Sequence, residues 1–117
     1  MTPFKVKLQI YQGSTFRWHA SVVSGTTAAA VDLTGYTARM QARVAITDAI
    51  PVFELTTENG GITLGGTAGT IDLYLSAVAT AAMSWDTAVY DLELISPTGD
   101  VIRYIAGTAT LSPEVTR

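Results

Sequence analysis

His19 is the one histidine in the sequence, so any Ser-His-Asp arrangement would have to be built around it. It lies opposite an aromatic strand face, two residues from Arg17, and no nucleophile motif accompanies it. That setting makes it a surface or interface histidine, and a multi-histidine metal site is excluded. Asp91 and Glu93 are the second feature with chemical potential. On a strand they share one face at ~7 Å, a spacing that suits paired carboxylates in acid–base work or a hard cation. The favoured reading is a solvated face, or one paired across strands with Arg103, while Arg39 and Arg43 offer further positive charge. Gly65-Gly66-Thr67-Ala68-Gly69 resembles a phosphate loop only in its glycines. The lysine and following helix are missing, which leaves a hairpin turn. No cysteine is present, so disulfides and thiolate chemistry are excluded. The expectation is a chain without a catalytic site, metal or cofactor.

The elements that carry these residues are strands. Ala88 to Leu111 reads as a β-hairpin: Tyr90, Leu92 and Leu94 alternate with Asp91 and Glu93, and Ser96-Pro97-Thr98-Gly99-Asp100 supplies the turn. Its second arm changes parity between Ile102/Tyr104 and Ala109/Leu111, which predicts a bulge at Ala106-Gly107 or a strand covered on both faces. Upstream, Phe4, Val6, Leu8 and Ile10 alternate with Lys5, Lys7 and Gln9. Phe16, Trp18, Ala20 and Val22 form a second apolar face, so Trp18 is read as core. Ser24 to Ala30 is a loop of small residues, and Asp32 to Gly35 is a turn in which Asp32 accepts backbone N–H groups. Strands follow at Tyr36–Val44, Val52–Thr56, Ile62–Leu64 and Gly69–Leu75, with a loop over Ala45–Ile50 that ends at Pro51. A short helix near 76–83 has Ser76 as its N-cap. Trp85 lies in a connection and is the better contact candidate of the two tryptophans. Seven to eight short strands and one helix predict an all-β, immunoglobulin-like antiparallel β-sandwich, with residues 1–117 as a single domain.

Composition bounds the partners. The net charge of −3 and the scattered basic residues argue against nucleic acid and anionic membranes. The first residues alternate and do not read as a signal peptide, and no apolar run is long enough to span a bilayer. Charged residues make up 15% of the chain, low for a free monomer. Either part of the surface is covered in an assembly or Ser and Thr take the place of charge.

Three stretches together resemble small virion proteins of tailed bacteriophages and prophages: Asp32-Leu33-Thr34-Gly35-Tyr36-Thr37-Ala38-Arg39-Met40-Gln41; Tyr90-Asp91-Leu92-Glu93-Leu94 with Pro97-Thr98-Gly99; and Gly107 with Ser112-Pro113-Glu114-Val115-Thr116-Arg117. The layout is similar to the N-terminal domain of phage baseplate upper proteins. The resemblance implies a non-enzymatic structural protein, made in the host bacterial cytoplasm and placed in the virion. There it would act as an adaptor or docking domain of the tail, baseplate or neck, in symmetric copies. The sequence stops at Arg117 without a helical or fibre-binding continuation, which shifts the expectation from fibre holding towards an adaptor or a capsid decoration protein. Candidate interface residues are Trp85, Arg39, Arg43, Asp91, Glu93 and Arg103. A carbohydrate- or ligand-binding sandwich is the alternative of another class, with Trp85, Tyr11 and Tyr74 as platform and Asp72 or Asp91 bonding hydroxyls.

Overall fold

The computed structural model describes residues 3–24 and 29–116. Nine strands are present: β1 (Phe4–Lys5), β2 (Leu8–Tyr11), β3 (Phe16–Ser21), β4 (Thr37–Arg43), β5 (Phe53–Thr56), β6 (Ile62–Leu64), β7 (Thr70–Leu75), β8 (Thr87–Ile95) and β9 (Val101–Ser112). One short helix, α1 (Ala77–Ala81), joins β7 to β8, and the Ser76 hydroxyl caps it by accepting from Ala79 N–H at 3.1 Å. The larger sheet runs β1-β9-β8-β4-β5 with β2 also on β9, and the smaller runs β3-β7-β6. This is the strand distribution of an immunoglobulin-like sandwich, with the first strand moved onto the last one.

Alternation decides which side chains meet between the sheets. Leu8 and Ile10, Ala38, Met40 and Ala42, Ile71 and Leu73, and Ala88, Tyr90, Leu92 and Leu94 are buried, while the residues between them point outward. At one end of the sandwich three turns lock together. Leu33 N–H donates to the Gly66 carbonyl at 2.8 Å, and Val22 N–H to that of Gly69 at 2.7 Å. Gly35 sits so close to Pro97 that a Cβ there would fall 2.9 Å from its ring. Thr34, by its hydroxyl first and its backbone N–H second, holds the Asp32 carboxyl below its ordinary pKa. At the other end α1 closes over the β2–β3 turn, where Thr80 is fully buried and its hydroxyl donates to the Ser14 carbonyl at 2.8 Å.

Three expectations need correction. The described residues form nine strands, not seven to eight, because the first alternating run is broken into β1 and β2 at Val6 and Lys7. The sandwich is not wholly antiparallel, since β1 and β2 both run parallel to β9. The bulge lies at Tyr104 rather than at Ala106-Gly107: Leu92 pairs with Ile105 and Glu93 with Arg103, which leaves Tyr104 as the extra residue. Gly107 stays in register for a different reason. It faces Tyr90 across the ladder, and a Cβ on it would fall 2.1 Å from the Val6 carbonyl oxygen. The bare backbone lets the first strand approach, Val6 N–H donates to the Ala106 carbonyl at 3.0 Å, and the Tyr90 hydroxyl donates to the Val6 carbonyl at 2.7 Å. Tyr104 and Leu111 then share one core, as a bulge was expected to allow. Of the small-residue loop, residues 25–28 lie outside the described residues, as do Met1, Thr2 and Arg117.

Gly107→Ala is therefore expected to cost ~2 kcal/mol or more by overpacking against Val6, read as a lower urea midpoint. The pH dependence carries a second test. Burial pushes the Tyr90 phenol up to about 12, whereas in the unfolded chain it titrates near ~10. The unfolded state therefore loses its proton first. Stability from this group is complete below about pH 10 and falls as pH rises towards about 12. Tyr90→Phe should lose ~1 kcal/mol at neutral pH with the hydrogen bond, and should unfold less steeply with pH above 10 than the wild-type chain.

Candidate functional site

The charged candidates all stand on the outer face of the larger sheet, because β4, β8 and β9 present every second residue there. Strand register makes them neighbours: Arg39 opposite Glu93, Glu93 opposite Arg103, and Gln41 between Glu54 and Asp91. Arg39 Nε donates to Glu93 Oε1 at 2.7 Å, Arg103 Nε lies 3.4 Å from Asp91 Oδ2, and the Gln41 amide donates to Glu54. Asp91 and Glu93 are thus each met by an arginine, the arrangement of a cross-strand charge ladder. Among the described residues no group of three or more His, Cys, Asp or Glu is placed to hold a metal ion.

Arg43 belongs to a different structure. Its Nε donates to the Asp48 carbonyl at 2.9 Å, and Asp48 in turn accepts from Ala45 N–H on Oδ2 at 3.0 Å and donates its own N–H to the Ala45 carbonyl at 2.9 Å. Three bonds thus hold the turn from Arg43 to Asp48, in the β4–β5 loop, in one shape. What that loop presents is apolar: Ile46 is 84% exposed, Ile50 80%, and Val44 is exposed beside them. Ile46 also lines a shallow trough with Val89, Lys5, Arg43, Asp91 and Arg103, which joins the loop to the charged face. Single exposed apolar residues are ordinary; here Ile46 stands on a braced turn, with Ile50 and Val44 exposed in the same loop.

Trp85 is less exposed than its place in a connection suggested. It is half-buried against Phe53, ring centroids 6.0 Å apart, and its indole N–H is buried without an acceptor among the described residues. Trp18 departs the other way, facing the core yet half-exposed at the β3 edge. On the outer face of the smaller sheet His19 Nδ1 meets Asp72 Oδ1 at 2.6 Å, and the Arg17 guanidinium lies 4.7 Å from the centre of the Tyr74 ring. The structure does not assemble the three-aromatic platform. Tyr11 points outward from the larger sheet, Tyr74 from the smaller one, and Trp85 packs beside α1.

Reasoning from residues missed the braced loop and the open β3 edge. A signal for the first was present, since Ile46 and Ile50 lie in a segment with no strand alternation to bury them. No helix of the described residues is long and apolar enough to cross a membrane. No protein-family model matches the chain, and no curated protein matches it.

Because the ladder is exposed, it should contribute little to folding. A double-mutant cycle on Arg39→Ala and Glu93→Ala is expected to give a coupling of ~0.2–1 kcal/mol that shrinks in salt. A coupling several times larger would mean that this face is not simply solvated.

Proposed function

We propose that this chain is a non-enzymatic structural protein of a tailed-phage virion, an adaptor or docking domain of the tail, baseplate or neck that joins other virion proteins by protein–protein contacts. The observation that carries the docking role is the exposure of Ile46 on the braced Arg43–Asp48 turn, with Ile50 exposed two residues beyond it. A turn held by Arg43 and Asp48 loses little conformational entropy on binding, so burying Ile46 yields most of its apolar transfer energy. At roughly 1.5–3 kcal/mol for each fully buried side chain, one copy binds weakly, and symmetric copies bind firmly.

The virion context rests on the sequence resemblance, two of whose turns the fold brings together. The Asp32-to-Tyr36 turn and the Pro97-Thr98-Gly99 turn meet at one end of the sandwich through Gly35 and Pro97. They act as structural locks, which leaves the opposite end, with the isoleucine loop, for contacts. Capsid decoration uses the same surface and differs only in the place of docking.

Cryo-EM of purified particles made by the phage or prophage that encodes the chain tests the reading, with density expected at the tail, baseplate or neck. Density on capsid hexons would make it a decoration protein, and absence from particles would overturn the virion role. Ile46→Ser with Ile50→Ser should weaken incorporation by roughly 100-fold or more. The same pair should leave the unfolding midpoint nearly unchanged, within ~0.5 kcal/mol, since neither side chain is packed.

A further inference from the structure

The move of the first strand onto β9 leaves the smaller sheet with an open side. β3 is bonded to β7, and among the described residues no strand lies on its other edge. The direction of its free groups follows from alternation in an antiparallel pair. Val22 N–H donates to the Gly69 carbonyl, so the even-numbered residues of β3 bond towards β7. Arg17, His19 and Ser21 therefore direct their N–H and C=O groups outward, and no backbone group of the described turns and loops takes them up. Their side chains leave the edge clear as well. Arg17 lies back over Tyr74 and His19 against Asp72, both on β7. On the inner side Trp18 and Ala20 are only half-buried although they face the core, between buried Phe16 and Val22. The core is thus thinly covered along this one edge.

We propose that two copies of the chain pair through their β3 edges, antiparallel about a two-fold axis at His19, to make one continuous six-stranded sheet. An antiparallel pair of identical strands is self-complementary, which commits the edge to a second copy. Side-chain parity requires the axis to pass through a residue, and the residue types choose which one. Centred on Arg17, arginine would face arginine. Centred on Trp18, Arg17 would face His19 and the two tryptophans would meet at the same point. Centred on His19, Arg17 faces Ser21 of the second copy, Trp18 faces its Ala20, and all three outward residues of each strand bond across. Large side chains then meet small ones, the uncovered part of Trp18 is buried, and six backbone hydrogen bonds close the edge. The pairing stands on the edge geometry alone and supplies a symmetric unit whether or not the virion reading holds.

Sedimentation of the whole chain over a concentration series should show a monomer–dimer equilibrium. In the dimer, the amides of Arg17, His19 and Ser21 should exchange with deuterium at least tenfold more slowly than in the dilute monomer. His19 Cα atoms of the two copies would lie ~5.5 Å apart, within disulfide reach, and the chain has no cysteine of its own. Under mild oxidation His19→Cys should form a covalent dimer at least tenfold faster than Thr110→Cys, which lies on the outer face of the larger sheet. Ile46→Ser with Ile50→Ser should leave the dimer intact, so a failed docking test and a failed pairing test are distinct results. A chain that remains monomeric throughout, or a dimer in which these three amides stay unprotected and His19→Cys cross-links no faster than Thr110→Cys, overturns the proposal.

Discussion

The approach of Val6 to Gly107 is the constraint on which the rest of the molecule depends. A missing side chain on β9, a phenol on β8 and a carbonyl between β1 and β2 come together from distant parts of the chain. If Gly107 carried a Cβ, the first strand could not lie along β9. If Tyr90 lacked its hydroxyl, a carbonyl next to the core would lose its partner. With both in place, Leu8 and Ile10 are carried into the core and the outer edge of the long hairpin is closed. The same choice strips β3 of the neighbour that a first strand would otherwise provide, so closure of one sheet and exposure of the other have a single cause.

Charge and apolar surface divide the work of the exterior. On the larger sheet the ionic groups are matched within the chain, Arg39 with Glu93 and Arg103 with Asp91, and a partner would have to break or share these pairs to use them. Solvated pairs of that kind set orientation and exclude wrong partners better than they supply affinity. The isoleucines of the β4–β5 loop have no competing partner. Arg43, read from the sequence as one more surface charge, serves them indirectly by bracing the loop through the Asp48 carbonyl.

Period-2 alternation made the strands legible, because all but the two-residue β1 have one face against the other sheet, and turn chemistry placed their ends. Asp32, Ser76 and Gly99 do what their residue types predict. The bulge was legible as a parity conflict but not in its position. Glycine seemed the natural site, whereas Gly107 was already committed to a contact with a strand a hundred residues away. Pairing partners were harder to read, since nothing in Phe4 to Tyr11 states whether that strand joins β9 or β3. Asp91 and Glu93 share a face with Arg103, as strand alternation implies, and register adds Arg39 to it. Trp85 is half-buried because its connection folds back onto Phe53, a contact that local sequence does not signal.

The two ends of the sandwich are unlike. One is sealed by turns that bond to one another, and the other carries the isoleucine loop, so a single copy has a direction. An antiparallel join through β3 reverses one copy relative to the other, and the resulting pair has no direction at all. It would present the same isoleucine loop at both extremities, with the sealed turns alongside, so that under the proposed docking role the pair would couple two identical partners.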